Sequence, residues 1–172
     1  MAAAATTPIK LPVLENIPQE LTSRPQWVTW REETRDGRST KVPYIPGTER
    51  RASTTDLMTW RTFEEAVEAL EAGEPHYDGI GFVFSSGDPY AGVDLDDCRD
   101  PETGEVAEWA QKIIARATEG YVEASPTGTG VHIIVEGRVR DGGMRKGPLE
   151  MYSRERFFTV SGHVLAAMAR DL

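Results

Sequence analysis

The stretch "GIGFVFSSGDPYAGVDLDD" (79–97) decides the fold, because it holds two short apolar runs separated by a polar turn. Each run has the length and composition of a buried strand, and the Ser, Gly, Asp and Pro residues between them are typical of turns. We therefore predict a β-hairpin made of strands at 79–84 and 90–96. A buried carboxylate without a partner is costly, so three carboxylates at the end of the second strand need a specific explanation: Asp94, Asp96 and Asp97.

Two further strands are predicted upstream of this hairpin. The aromatic and β-branched stretch "QWVTW" (26–30) predicts a first strand, and "TKVPYIP" (40–46) predicts a returning strand after the polar turn "EETRDGRS" (32–39). Proline cannot donate to a strand ladder, so the two prolines place the returning strand at a sheet edge or make it short.

Two helices are predicted from the spacing of apolar residues. "TFEEAVEALEAG" (62–73) predicts a helix in which Thr62 is the N-cap, Glu65 completes a capping box and the final Gly ends the helix. "EVAEWAQKIIARAT" (105–118) predicts a second helix with one apolar face, made of Val106, Trp109, Ile113 and Ala117.

The remaining sequence predicts a second hairpin and two more strands. "YVEAS" (121–125) and "VHIIVEG" (131–137) flank the turn "PTGTG", and a basic, Gly-rich loop then leads to the strands "LEMYS" (149–153) and "FFTVSG" (157–162). Helices that alternate with antiparallel hairpins predict an α+β domain with helices packed on a sheet. "HVLAAMARDL" (163–172) begins a helical pattern, so the chain could be a fragment of a longer protein.

Length and composition favour a single globular domain. The 172 residues are enough for one core, and we assign residues 1–20 to an N-terminal arm and residues 21–172 to the domain. The sequence contains neither an apolar run of about 20 residues nor a signal-peptide pattern, so we expect a cytoplasmic protein without a membrane partner. A single cysteine, Cys98, excludes an intrachain disulfide and a Cys-clustered zinc site, and we interpret it as a small buried hydrophobe.

The charge is unevenly distributed along the chain. The formal net charge is −9, yet residues 56–123 alone hold 17 acidic and 4 basic side chains, a net of −13. The rest of the chain therefore sums to +4, and two stretches, 31–51 and 138–156, each carry six Arg or Lys residues. These basic stretches are compatible with solvated loops or with nucleic-acid contacts, and charge alone does not separate the two.

Three carboxylates form a candidate metal site. Side chains alternate along a strand, so Asp94 and Asp96 are expected on one face with attachment points roughly 6.6 Å apart, and Asp97 is expected on the other. Two such carboxylates could bridge hard divalent cations, and Glu150, which interrupts an apolar strand start, is the natural third. The alternative is a surface turn in which the aspartates cap the next element.

A small-residue turn and nearby basic residues form a candidate phosphate site. The turn at 125–130 could bring backbone N–H groups and hydroxyls close to a phosphate, and His132 follows it on a strand. Arg154 and Arg156 lie in or next to the turn after the candidate third carboxylate, where guanidinium groups can hold phosphates. The alternatives are a structural histidine and a solvated basic turn.

Taken in order, "VDLDD" (93–97), "SPTGTGVH" (125–132) and "LEMYS" (149–153) resemble the three motifs of the archaeo-eukaryotic primase superfamily. The resemblance is to the prim-pol domains of phage and plasmid replication proteins. It extends upstream to "QWVTW", "TKVPY" and "ASTTDLMTW" (52–60), and so covers most of residues 21–163.

The resemblance implies an RRM-like antiparallel or mixed sheet with packed helices, nucleotidyltransferase activity and two divalent metals, Mg²⁺ or Mn²⁺. It implies Asp94, Asp96 and Glu150 as catalytic metal ligands. It assigns the incoming nucleotide, a dNTP or NTP, to a set of eight residues: Ser125, Thr127, Gly128, Gly130, His132, Arg154, Arg156 and Lys41. Asp97 and His163 match no required position.

The leading hypothesis is a template-directed DNA primase/polymerase domain, which we expect to be monomeric and to act with a fused or associated helicase. The single-stranded template and primer would contact the basic stretches through Arg38, Arg50, Arg51, Arg145 and Lys146. Accessory zinc elements and a helical C-terminal module are missing from the pattern, which suggests that the chain extends primers better than it starts them. The alternatives are a metal-dependent nuclease and a non-catalytic module that binds nucleotide or single-stranded DNA. A rolling-circle nickase is disfavoured, because His132 has no histidine two residues away.

Overall fold

The computed structural model describes residues 8–165, which form two antiparallel sheets and a small number of helices. This arrangement confirms the predicted α+β class. The strands are β1 (Trp27–Arg35), β2 (Arg38–Tyr44), β3 (Gly79–Phe84), β4 (Tyr90–Leu95), β5 (Tyr121–Ala124), β6 (Val131–Glu136), β7 (Met144–Lys146), β8 (Leu149–Tyr152) and β9 (Arg156–Val160). The helices are α1 (Gln19–Thr22), α2 (Phe63–Ala72) and α3 (Glu108–Ile114), with 3₁₀ turns at Leu14–Asn16 and Leu57–Thr59.

The strands are divided between a four-stranded sheet and a five-stranded sheet. The order is β2-β1-β3-β9 in the four-stranded sheet and β5-β6-β4-β8-β7 in the five-stranded sheet. The hairpin predicted at 79–96 is therefore wrong, because β3 pairs with β1 and β9, whereas β4 pairs with β6 and β8.

A buried carboxylate fixes the crossover between β3 and β4. Asp88 is 1% exposed, and its oxygens accept hydrogen bonds from the backbone N–H groups of Ser85 and Tyr90 and from the side-chain amide of Gln26. The loop is thereby held to the start of β1 instead of closing a two-stranded turn. The turn residues were recognised correctly in the sequence, but their partner in the four-stranded sheet was not.

The first hairpin is longer than predicted. Asp36 and Gly37 have φ values of 50° and 73°, the left-handed pair that a tight two-residue hairpin turn needs, so residues 32–35 and 38–39 belong to strands and not to a polar turn. The edge position predicted for the second strand is confirmed by β2 at the end of its sheet. The second predicted hairpin is also confirmed, since β5 pairs with β6.

One predicted helix is confirmed and the other is shorter than expected. In α2, Thr62 and Glu65 form the predicted capping box. By contrast, α3 cannot begin at 105 because Val106 forms a β-bridge with Arg99. The predicted apolar face was also wrong at Trp109, which is 37% exposed, while Ala110 and Ile114 are buried.

The two faces of the five-stranded sheet have different neighbours. One face packs against α3 in an aliphatic core that includes Val93, Leu95 and Cys98, so the cysteine is buried as predicted. The opposite face carries Tyr90 and Ile134, which join an aromatic core with residues of the four-stranded sheet. Any side chain that shares a face with Tyr90 therefore lies toward the junction of the two sheets.

The described part of the N-terminal arm packs along the domain. The backbone N–H groups of Lys10 and Val13 donate to the carbonyls of Pro126 and Ser161, and Ile17 enters the aromatic core. The helical pattern predicted at the C-terminus falls largely on residues 166–172, which lie outside the described residues. Across residues 8–165, no helix has the length and apolar character needed to cross a membrane.

Candidate active site

A single row of ionisable side chains crosses all five strands of the five-stranded sheet. The strand register places Arg145 opposite Glu150, Glu150 opposite Asp94, Asp94 opposite His132, and His132 opposite Glu123. Residues directly opposite each other in antiparallel strands share a face, so all five side chains lie on the face that meets the four-stranded sheet. The row brings together a candidate residue from each of the three motifs.

The charges along this row alternate in sign where the side chains make contact. Arg145 Nε lies 3.1 Å from Glu150 Oε1, His132 Nε2 lies 3.6 Å from Asp94 Oδ1, and His132 Nδ1 lies 3.2 Å from Glu123 Oε1. Burial opposes protonation of the imidazole, but the hydrogen bond to Glu123 and the charges of Asp94 and Glu123 outweigh it and raise the pKa of His132. The ring is therefore a buried imidazole that is protonated more readily than usual, and it lies between two carboxylates.

The second aspartate of the motif lies just beyond the strand. β4 ends at Leu95, and Asp96 begins the following turn, where its N–H donates to the carbonyl of Pro148. Partial desolvation of its carboxylate and the negative charges of Asp94 and Glu150 raise the pKa of Asp96, although the side chain as a whole is exposed. Asp96 is thus close enough to both carboxylates to be repelled by them.

The donor chemistry at this position fits a divalent cation, although the side chains are turned to other partners. Three carboxylates repel one another here, and a cation would relieve that repulsion. Glu150, however, pairs with Arg145 and accepts a hydrogen bond from the Tyr152 hydroxyl, while Asp94 faces His132. Among residues 8–165, no three Asp, Glu, His or Cys side chains are arranged to hold a metal as they stand.

The turn at 125–130 lies against the end of β4. A Cβ at Gly130 would come within 2.8 Å of the carbonyl oxygen of Leu95, so only glycine allows this close approach beside Asp96. The N–H groups of Gly128 and Gly130 donate to the carbonyl and the hydroxyl of Ser125. These two amides already have partners inside the turn, so a phosphate would compete with Ser125 for them, and their role in nucleotide binding stays a prediction.

Other groups of the turn are held by neighbours that the motif analysis did not include. The hydroxyls of Thr127 and Thr129 are 2.9 Å apart. Arg99 Nη1 donates to the carbonyl of Gly128 at 2.9 Å and so fixes the turn from the segment that follows β4. No periodic pattern or motif in the sequence indicates this contact, because it joins two loops 29 residues apart.

The predicted nucleotide-binding cations lie at different distances from the row. Lys41 is half-buried, with its ammonium 5.8 Å from the Trp30 ring, and its charge lowers the pKa of His132, so the two residues are neighbours. Arg156 covers the ring of Tyr152 at 4.8 Å, next to Glu150. Arg154 instead pairs with Asp141 at 2.7 Å.

All five residues predicted to contact DNA are exposed: Arg38, Arg50, Arg51, Arg145 and Lys146. Two of them have acidic partners, since Arg51 lies 3.0 Å from Glu33 and Arg145 pairs with Glu150. Arg38 begins β2, Arg50 and Arg51 lie in the segment after β2, and Arg145 and Lys146 lie in β7 of the other sheet.

The sequence analysis missed Glu123 and Phe158. Glu123 is 1% exposed and contacts His132, while the Phe158 ring stacks on the imidazole with centroids 5.0 Å apart. The predicted hairpin could have identified Glu123, because a turn closed by residues 125 and 130 places residue 123 opposite residue 132. Phe158 belongs to the other sheet, so no hairpin argument finds it.

Comparison with known proteins agrees with the motif resemblance. No family model matches the chain. The chain is 35% identical over 147 residues to a DNA primase-polymerase of the Nitratiruptor phage NrS-1, and the match covers 81% of this chain. It spans 19% of that relative's length. This similarity to part of a DNA primase-polymerase, over most of the chain, supports the resemblance to a prim-pol domain.

Proposed function

We propose that this domain is a template-directed DNA primase/polymerase that adds nucleotides to a 3′-hydroxyl with the help of Mg²⁺ or Mn²⁺. The observation that carries the proposal is the cross-strand row, which aligns Glu150, Asp94 and His132 on three neighbouring strands. The similarity to a protein named DNA primase-polymerase supports the same reaction class.

The reaction would join two substrates without a covalent enzyme intermediate. The 3′-hydroxyl oxygen forms a bond to the α-phosphorus of the incoming nucleoside triphosphate, the bond from that phosphorus to the bridging oxygen breaks, pyrophosphate leaves, and the hydroxyl proton passes to solvent. Two divalent cations held by Asp94, Asp96 and Glu150 would supply activation of the attacking oxygen and neutralisation of the triphosphate.

The basic groups of the site would orient the triphosphate. His132 presents Nε2 on the Asp94 side of the row, and Lys41 is close enough to influence its charge. Hydroxyls of the 125–130 turn and the guanidinium groups of Arg154 and Arg156 would add charge-assisted or neutral hydrogen bonds. Fixed donors of this kind stabilise negative charge that develops on the leaving pyrophosphate.

Template binding would depend on exposed cations outside the row. Arg38, Arg50, Arg51 and Lys146 are exposed in a protein whose net charge is −9, so local basic surface and not overall charge would attract the phosphate backbone. We expect binding of single-stranded DNA to weaken steeply as salt increases.

The test is extension of a labelled primer on a DNA template with dNTPs or NTPs and Mg²⁺ or Mn²⁺. The wild-type chain should extend the primer only when nucleotide and metal are both present, and the double variant Asp94→Ala, Asp96→Ala should not. Asp97→Asn is the matched control, because this neighbour is exposed and Asn tolerates its left-handed φ of 50°. The control should extend normally.

The competing functions give different products in the same assay. Metal-dependent degradation of the DNA without added nucleotide would indicate a nuclease. Nucleotide or DNA binding without extension would indicate a non-catalytic module. Normal extension by the double variant would contradict the assignment of the metal ligands.

A further inference from the structure

Glu123 is a buried carboxylate that is held by three donors and also contacts one histidine. Its oxygens accept hydrogen bonds from the backbone N–H groups of Ser161 and Gly162, at 2.9–3.0 Å, and from the Tyr121 hydroxyl at 2.6 Å. The remaining contact of Oε1 is with His132 Nδ1 at 3.2 Å. The three donors hold the carboxylate in place, so it is a fixed acceptor for the imidazole.

The imidazole is constrained from three sides. An ionised carboxylate can only accept a hydrogen bond, so contact with Glu123 requires the hydrogen on His132 Nδ1. The ring stacks on Phe158 with an interplanar angle of 30°, which restricts its tilt. Nε2 then faces Asp94, 3.6 Å from Oδ1, at the centre of the row.

We propose that Glu123 is a positioning residue that orients His132 for nucleotide transfer, by binding Nδ1–H so that Nε2 faces the reacting end of the site. The proposal rests on the proposed function, since it gives His132 its orientation toward the triphosphate. Glu123 itself is too deeply buried to touch the substrate, and it acts only through the ring.

A purely structural role for Glu123 would explain only part of its contacts. Another buried carboxylate, Asp88, provides the comparison: it is also 1% exposed and also accepts backbone N–H groups, yet its partners are Ser85, Tyr90 and Gln26 and include no residue of the row. Loss of Asp88 should cost stability alone. Loss of Glu123 should cost stability and also the orientation of the ring.

The first experiment is a double-mutant cycle in the primer-extension assay. Glu123→Leu should lower the extension rate per folded molecule about 10–100-fold, the loss typical when the residue that orients a metal-binding histidine is substituted. In a His132→Ala background, Glu123→Leu should have no further effect. Asp88→Leu should destabilise the fold and leave the rate per folded molecule unchanged. Additive losses in the cycle, or an equal rate loss in Asp88→Leu, would overturn the proposal.

The conservative variant Glu123→Gln provides a second comparison. Its amide keeps one carbonyl oxygen that can accept from Nδ1–H, so it should retain more activity than Glu123→Leu. If Glu123→Leu does not fold, the same cycle is run with Glu123→Gln, where a loss that persists in the His132→Ala background overturns the proposal.

The second experiment measures the ring directly and needs no activity. The chain has three histidines, so ¹H–¹⁵N correlations of the imidazoles can be assigned with His76→Gln and His163→Gln. We expect a proton on His132 Nδ1 that is protected from exchange in the wild type, keeps part of that protection in Glu123→Gln, and loses it in Glu123→Leu. A wild-type ring without a proton on Nδ1 overturns the proposal. A wild-type chain that shows this proton but extends no primer contradicts the proposed function and not the orientation.

Discussion

Both sheets of this domain are antiparallel, but one brings aromatic side chains to the junction between them and the other brings ionisable side chains. The four-stranded sheet contributes Trp27, Phe82 and Phe158 to an aromatic core, and its buried hydroxyl at Thr29 donates to the carbonyl of Tyr44. The five-stranded sheet carries five ionisable side chains in one row on its inner face. The first sheet supports the fold, whereas the second holds carboxylates close together at a cost in stability that function would explain.

The comparison predicts that equivalent substitutions in the two sheets have opposite consequences. Asp94→Asn should abolish primer extension, a loss of at least about 100-fold, with the fold retained, because the substitution removes a charge and keeps the shape. Thr29→Val should lower stability by about 1 kcal/mol and leave extension intact. Extension rates and thermal unfolding of both variants check the pair, and an active Asp94→Asn would remove the distinction.

The contact between the sheets can be broken at Gly92. A Cβ at this position would lie 2.5 Å from the Phe158 ring and 2.7 Å from Phe84, so Gly92→Ala should cost about 1–3 kcal/mol and displace the ring that stacks on His132. Extension should fall together with stability. Gly87→Ala is the matched control, because the nearest heavy atom, Ser85 Oγ, is 3.7 Å away. Urea unfolding and extension rates measure both effects, and a neutral Gly92→Ala would contradict the close contact.

The side of the five-stranded sheet that packs against α3 should, like the four-stranded sheet, affect stability and not primer extension. Burial raises the pKa of the Cys98 thiol to about 11 from 9.0, so the folded state disfavours the thiolate. The unfolded chain loses the thiol proton at a lower pH than the folded chain, so stability is retained below pH 9 and falls as the pH rises from 9 to about 11. The loss should be about 1 kcal/mol by pH 10 relative to Cys98→Ala. Unfolding at pH 8 and pH 10 tests this, and parallel curves for the two proteins would refute it.

The smallest expected effect comes from the repulsion between Asp96 and two carboxylates of the row. Asp96→Asn should stabilise the metal-free protein, because it removes a carboxylate that Asp94 and Glu150 repel. The gain should be below about 1 kcal/mol, since Asp96 is exposed and its charge is screened. Melting temperatures without divalent cations measure it, with Asp97→Asn as the control. A destabilised Asp96→Asn would show that the repulsion is already compensated.

The sequence correctly predicted the elements whose determinants lie close together in the chain. It failed where a contact with a distant residue decides the strand pairing or the start of a helix. The capping box of α2 and the β5–β6 hairpin were correct because their determinants lie within about ten residues. The hairpin at 79–96 was wrong because Asp88 binds Gln26, 62 residues away. Trp109 was misplaced because a β-bridge from Arg99 delays the start of α3.

The candidate site follows the same division. Strand alternation and motif order pointed to Asp94, His132 and Glu150, and the register puts them in one row, but their roles stay predictions. The sequence could not show that Glu150 is turned toward Arg145, because that contact depends on β7, a strand hidden in a basic Gly-rich loop. Nor could it show the stacking of Phe158, which crosses between sheets.

The anchoring of Glu123 has a consequence for the order of folding. Its amide donors lie in residues 161–162, and this segment is in turn tied to the arm: Asn16 donates to the carbonyl of Gly162, 146 residues away, and His163 contacts the carbonyl of Leu11, 152 residues away. Contacts of such separation close long loops and form late. We therefore expect the histidine to reach its final orientation only after both sheets have formed, and the amides of Ser161 and Gly162 to be among the last to gain protection from hydrogen exchange.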